Sequence, residues 1–315
     1  MNFINLNNDY NSKSKVSSKI HIGKYILHIS LIGLAIFLCF LLISCQKKDI
    51  RNIPVIEPLE ESEIIKLSIE SKFLDKDVPI IIYLPKGYGD GTEYPVWYGL
   101  HGHGNTESMW INNGITEAAD ELIDNGEIEP LIMVFPYVKD ASLKEIEADI
   151  ADDGKIDERN IDKFISKELI TYIDTNYFSI ISSEARFIGG FSMGGMMSLR
   201  IAFHHTDLFS KVGGYSPAIL SSDYSDRQLE GWLFPNDNPD DISDLVSFAK
   251  EHGFDRLEIY MDAGKTNDPF TVGIQSLHEA LQKRQIRSEF QIYDGGHSLQ
   301  KDKIKDYLKF YVGIQ

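Results

Sequence analysis

The hexapeptide Gly190-Phe191-Ser192-Met193-Gly194-Gly195 constrains the fold of this chain more than any other stretch. A run of strand character, Arg186-Phe187-Ile188-Gly189, leads into it, and a helix-like run from Met196 to His205 leaves it. On so tight a strand-to-helix turn, side chains two residues before or after the serine would collide, which leaves room for little but glycine. Ser192 is then exposed at the tip of a sheet. The G-x-S-x-G pattern also occurs as a plain turn, so the rest of the chain decides between the two readings.

Three features supply that context. The apolar run Pro95-Val96-Trp97-Tyr98-Gly99-Leu100 ends in His101-Gly102-His103-Gly104, which is similar to the glycine-containing loop that gives one N–H of an oxyanion hole. Gly102 and His103 are the candidates for that donor, and the N–H of Met193 is the candidate for the second. Downstream, Leu257-Glu258-Ile259-Tyr260-Met261 runs into a loop holding Asp262 and Asp268, and Phe290-Gln291-Ile292-Tyr293 runs into Asp294-Gly295-Gly296-His297. The order serine, aspartate, histidine is that of α/β-hydrolases and differs from the chymotrypsin and subtilisin orders. Spacing alone allows Asp262 or Asp268 as the acid. A serine hydroxyl is a poor nucleophile at neutral pH, so the chemistry needs His297 to take its proton and return it to the leaving group, with a carboxylate fixing the imidazole tautomer. It requires no cofactor.

With these residues in place the chain resembles the esterase D and feruloyl esterase-like family of α/β-hydrolases. The resemblance covers most of residues 63–315. It is carried by Ile82-Tyr83-Leu84-Pro85-Lys86-Gly87-Tyr88, Tyr94-Pro95 leading to Leu100-His101-Gly102, Trp110, Met133-Val134-Phe135-Pro136, the Ser192-Met193-Gly194-Gly195 tetrapeptide, and Phe209 leading to Tyr215-Ser216-Pro217. The family implies a carboxylic-ester hydrolase. It places its acid a few residues after a glycine and beside a residue such as Pro269 or Phe270, which fits Gly264 to Asp268, and it keeps its base after the last strand, where His297 stands. On this pattern the catalytic residues are Ser192, Asp268 and His297, and Asp262 is a strand-end residue capping a turn.

Other residues invite a role and meet a plainer alternative. His101 and His103 have no acidic or cysteine partner at ligand spacing, so no metal site is expected, and they shape the oxyanion loop and one wall of the cleft. Trp110 follows that loop, and the segment from Ser221 to Pro239 carries Tyr224, Trp232 and Phe234. Aromatic residues there suit stacking on a sugar or aryl acid, and equally suit packing of the loop. His101, Trp110 and Trp232 are therefore the candidate substrate contacts. His204 and His205 end a helix, where a cation suits the dipole, and His252 and His278 fall in polar helical stretches as solvated residues. The acidic run Asp149 to Asp157 fails as a calcium loop, because Ala151 and Asn160 occupy positions that need oxygen ligands and the bidentate glutamate.

The first 45 residues read as an export segment. Lys13, Lys15, Lys19 and Lys24 form a basic region, Ile29 to Ile43 is almost wholly apolar, and Leu42-Ile43-Ser44-Cys45 resembles a lipobox, with Cys45 as the lipidated residue. A plain secretion signal and an uncleaved anchor are the alternatives. All three place the catalytic domain outside the cytoplasm. The two cysteines, Cys39 and Cys45, both lie in this segment, so the folded domain has no disulfide. Residues 46–62 read as a polar tether with Pro54 and Pro58, and 63–315 as one catalytic domain.

Strands are expected near 64–70, 79–84, 95–100, 131–135, 186–191, 211–215, 257–261 and 288–293, and helices near 114–125, 157–177, 193–205, 241–253, 270–284 and 299–311. The early strands are expected to form hairpins and the later ones to alternate with helices. That alternation predicts an α/β-hydrolase fold with a mostly parallel, doubly wound sheet flanked by helices.

The chain has a formal net charge of −17. The first 44 residues hold four of the 31 basic residues and one of the 48 acidic ones, so the remainder carries −20. Nucleic acid is excluded as a partner, since phosphate contacts need a basic face, and polyanionic substrates are disfavoured by repulsion. Neutral acyl esters of carbohydrates or other small molecules remain. The membrane is a partner only through the N-terminal lipid or anchor, and the sequence sets no oligomeric state. A serine esterase is the leading expectation. An acyltransferase with the same triad and a non-catalytic surface binding protein are the alternatives.

Overall fold

The computed structural model describes residues 53, 57–138, 160–219 and 245–314. Eight strands form one sheet: β1 (Glu63–Ser71), β2 (Lys76–Leu84), β3 (Val96–Leu100), β4 (Ile132–Pro136), β5 (Arg186–Phe191), β6 (Lys211–Tyr215), β7 (Glu258–Gly264) and β8 (Ser288–Tyr293). Each expected strand is present within a few residues. The helices are α1 (Met109–Asn112), α2 (Ile115–Asp124), α3 (Asn160–Lys163), α4 (Ile170–Asn176), α5 (Met193–His204), α6 (Leu245–Glu251), α7 (Thr271–Lys283) and α8 (Ile304–Val312). Between α3 and α4 the helix widens into a π-helical segment, Phe164–Leu169, that the sequence pattern does not disclose.

The spatial order of the sheet is β1-β2-β4-β3-β5-β6-β7-β8. Only the β1/β2 and β2/β4 pairs are antiparallel, and every pair from β4/β3 onward is parallel. Of the early strands, β1 and β2 alone form a hairpin. β3 and β4 pair in parallel because the chain crosses through α1 and α2 between them.

The central strands are apolar on both faces, as a sheet covered on both sides requires. Their residues divide by parity. In β3, Val96, Tyr98 and Leu100 join one core while Trp97 joins the other; in β4, Ile132 and Val134 face the first, and Met133 and Phe135 the second. The first core is closed by the π segment, α4, α5, α6 and α7, and the second by α2 and α8. The second is rich in aromatic rings, with Trp97, Trp110, Tyr215, Tyr307 and Tyr311 buried together.

Two features of the order along the chain position the site. From β3 the chain turns to β4 on one side, and from β5 it turns to β6 on the other, so connections diverge between adjacent β3 and β5. Such a switch point opens a crevice beyond the carboxyl ends of the strands. The register pairs Leu100 with Gly190, which sets the His101–Gly104 loop beside Ser192. At the other end of the chain, the expected tether boundary shifts. Leu59 exchanges backbone hydrogen bonds with Gly87 and Tyr88 and packs on the first core, and the Ser62 hydroxyl donates to Asp120, so residues 59–62 belong to the folded domain. The export segment, Cys45 and the rest of the tether, apart from residues 53, 57 and 58, lie outside the described residues.

Candidate active site

Ser192 sits between β5 and α5 at φ 57°, ψ −117°, a conformation that side-chain-bearing residues rarely adopt. Such a residue stores of the order of 1–3 kcal/mol of strain and persists where its surroundings over-determine it. Here its N–H donates to Tyr215 O at 2.9 Å, and its carbonyl accepts from Met196 and Ala218, each at 3.0 Å. The flanking glycines are explained by contact. A Cβ on Gly190 would collide with the Gly194 carbonyl carbon, and one on Gly194 would lie 2.6 Å from the carbonyl oxygens of both Leu100 and His101. The elbow is therefore pressed against the end of β3.

Ser192, His297 and Asp268 come together. His297 Nε2 lies 2.8 Å from Ser192 Oγ, and its Nδ1 lies 3.4 Å from Asp268 Oδ1. The imidazole is pinned by two rings. Phe191 stacks on it at 5.1 Å between centroids, and Phe270 meets it edge-on at 4.9 Å. The Asp268 side chain is fully shielded from solvent. Burial alone would raise its pKa, but the neighbouring His297 and hydrogen bonds from the Ser216 hydroxyl and the N–H groups of Gly264 (2.9 Å) and Phe270 (3.1 Å) outweigh it and hold the carboxyl at about 2. Asp268 is thus an anion throughout the neutral range.

Asp262 does something else. It is 1% exposed within β7, which runs on to Gly264, so it is no turn cap. Its Oδ2 accepts from Tyr307 OH at 2.7 Å and its Oδ1 from Ser216 N–H at 2.9 Å. It supports the site from below without contacting His297.

The oxyanion candidates separate on geometry. Met193 is the first residue of α5, where an N–H has no acceptor within the helix. Gly102 directs its N–H at Met109 Sδ, 3.4 Å away, which turns it from the crevice and leaves the exposed His103 as the remaining candidate in this loop.

Two expected substrate contacts are interior residues. His101 is 1% exposed, with Nε2 accepting from Val138 N–H at 3.0 Å and Nδ1 2.9 Å from Gly102 O. It ties the oxyanion loop to the end of β4. Trp110 is fully buried, donates to Leu100 O at 3.3 Å, and packs edge-on against Trp97 and Tyr215. It is a floor beneath the loop. Trp232, Tyr224 and Phe234 lie outside the described residues, as does the acidic run 149–157. Among the remaining histidines, His205, at the helix end, has Nε2 2.7 Å from Asp162, and His278, expected to be solvated, is instead half-buried on Phe290 with Nδ1 2.9 Å from Ser288 Oγ.

Sequence reasoning missed Ser216, Phe191 and Phe270 as parts of the site. One signal was available for Ser216: it closes β6, the strand next to β5, at the carboxyl edge where site residues gather.

The profile of the "Putative esterase" family matches residues 71–301. Among characterised proteins, the chain is 30% identical over 184 residues to an "Endo-1,4-beta-xylanase/feruloyl esterase" of Xylanibacter ruminicola, covering 55% of this chain and 25% of that protein. It spans only 16% of a second match, "Endo-1,4-beta-xylanase Y" of Acetivibrio thermocellus, at 26% identity over 59% of this chain. Among solved structures, a ferulic acid esterase aligns with a TM-score of 0.65 at 20% identity, covering 80% of this chain and 98% of that one. The α/β-hydrolase fold expected from the sequence is the one observed.

Proposed function

Because this chain belongs to the "Putative esterase" family, we propose that it is a serine carboxylic-ester hydrolase acting on acyl esters of carbohydrates or small molecules. The observation that carries this reading is the 2.8 Å contact between Ser192 Oγ and His297 Nε2 at the switch-point crevice. General-base chemistry needs that separation.

The reaction follows from what each group can do. Ser192 Oγ attacks the ester carbonyl while its proton passes to His297 Nε2. The carbonyl oxygen becomes an anion held by the N–H groups of Met193 and His103, each such donor being worth about 2.7–4 kcal/mol of barrier. Collapse breaks the bond to the alcohol, which leaves with the proton from Nε2. Water then attacks the acyl-enzyme by the same route in reverse roles and frees Ser192. Asp268, an anion at neutral pH, stabilises the imidazolium formed in both halves.

The similarity to proteins named as feruloyl and ferulic acid esterases makes hydroxycinnamoyl sugars the first natural-type substrates to assay, beside acetylated xylan. The apolar stretch before Cys45 supports action outside the cytoplasm, with Cys45 as the site of a lipid anchor and residues 1–45 as the export segment.

Hydrolysis of p-nitrophenyl acetate by the wild type and by Ser192→Ala tests the reading. Loss of the nucleophile lowers kcat by about 10⁴-fold or more in serine hydrolases. Equal rates for the two proteins reject it, and predominant transfer to an added alcohol in water assigns the chain to acyl transfer instead.

A further inference from the structure

The hydrogen bonds around His297 do not run as a simple serine–histidine–aspartate line. The direct Nδ1 to Asp268 Oδ1 distance is 3.4 Å, beyond the 2.7–3.2 Å of a good N–H···O bond. Ser216 Oγ stands closer, 2.8 Å from Nδ1, and makes a short hydrogen bond to Asp268 Oδ2. We infer that Ser216 is a positioning residue whose hydroxyl bridges His297 to Asp268 and sets the tautomer of the base. The inference rests on the proposed roles of Ser192 and His297.

Proton bookkeeping gives the bridge one direction. Asp268 is ionised and can only accept, so the single hydroxyl proton of Ser216 goes to it. The lone pairs of Ser216 Oγ then face Nδ1, which satisfies them only as N–H. With the proton on Nδ1, Nε2 is bare, and Nε2 is the nitrogen facing Ser192. Each donor meets one acceptor along Nδ1–H to Ser216 Oγ–H to carboxylate, and no bond in the chain needs to break during the reaction. When Nε2 gains the serine proton, Nδ1–H becomes the donor of a charge-assisted bond to an oxygen already polarised by the carboxylate.

The backbone holds Ser216 to this task. It is 1% exposed at φ 45°, a left-handed conformation that favours glycine, yet it carries a side chain. Its N–H is held between Asp262 O at 3.1 Å and Asp262 Oδ1 at 2.9 Å, so β7 fixes its orientation. Glycine would fit this conformation with less strain, and what the serine adds is the hydroxyl. The titratable groups packed around the bridge are Asp268 and His297 themselves, Asp262 on β7 and Tyr293 on β8.

Ser216→Gly and Ser216→Ala separate the hydroxyl from the backbone. Glycine relieves the strain and removes the bridge; alanine keeps the strain and removes the bridge. Both variants are expected to lose about 10-fold to 100-fold in kcat at nearly constant KM, a part of the ~10²–10⁴ that general-base catalysis contributes. In both, the Nδ1–H of His297 loses its close acceptor, so its low-field proton NMR resonance should move upfield relative to the wild type. A glycine variant with wild-type kcat, or an Nδ1–H resonance unmoved in either variant, overturns the inference. The NMR readout needs no turnover. It therefore judges Ser216 even if Ser192→Ala matches the wild type and the esterase reading fails.

Discussion

Asp262 is a carboxyl group sealed beneath the candidate triad, and its replacement by asparagine gives a stability change whose sign and size follow from its surroundings. Burial desolvates the anion and is the largest influence; hydrogen bonds from Tyr307 and Ser216 and the charge of Lys303 offset part of it, leaving the carboxyl raised from 3.8 to about 6. Between those two values the folded protein binds more protons than the unfolded chain, so stability falls as pH rises. At 1.36 kcal/mol per unit, a gap of a little over two units amounts to about 3 kcal/mol, absent below pH ~4 and complete above pH ~6. Asp262→Asn cannot ionise and escapes this loss. Asp268 acts in the opposite sense: its lowered value contributes stability above the unfolded value that is lost as pH falls toward 2, but it is common to both proteins and cancels in their difference. Urea denaturation of wild type and Asp262→Asn between pH 4 and 7 should show the variant gaining on the wild type by about 3 kcal/mol across that range. A difference that stays flat, or that moves the other way, refutes the burial argument for Asp262.

Gly194→Ala places a Cβ 2.6 Å from two backbone oxygens at the end of β3, so a destabilisation of about 1–3 kcal/mol and a fall in kcat are expected from denaturation curves and esterase assays. His101→Phe leaves the buried Val138 N–H without its acceptor, which should lower stability by about 1–3 kcal/mol and reduce kcat with KM little changed; a raised KM at unchanged stability would instead make His101 a substrate contact. Tyr307→Phe removes a donor from Asp262 Oδ2, and its loss of about 1–3 kcal/mol should be largest at pH 7, where that carboxyl is charged, and shrink by pH 4.

Much of the fold was legible because it is written locally. Strands buried on both faces appear as short apolar runs such as Val96–Leu100 and Ile132–Pro136, and their limits fall where glycine, proline or charge interrupts them. The candidate triad was legible for a similar reason, since each member follows a strand at the edge where such sheets carry their sites. Burial was not. Trp110 and His101 lie in or just after the same loop as His103, yet two are interior and one is exposed, a distinction made by Tyr215 packing on Trp110 and by the Val138 N–H bonding His101, both from farther along the chain. Asp262, inside β7, and Asp268, in the loop after it, differ in role because Tyr307, from the last helix, and the Ser216 N–H reach the first, while the Ser216 hydroxyl and His297 reach the second.

The amino-acid sequence by itself determined which residues are candidates for the reactive chemistry and on which kind of turn they stand, because the elbow's glycines and the strand-ending loops are short-range requirements of backbone geometry. Tertiary structure alone decided the order of strands across the sheet, hence the switch point between β3 and β5, and the placement of Ser216 between His297 and Asp268. Strand order depends on which apolar faces find one another after the chain has crossed through helices. A hydroxyl becomes a bridge only when three segments separated by 52 and 81 residues bring their polar atoms within hydrogen-bonding distance.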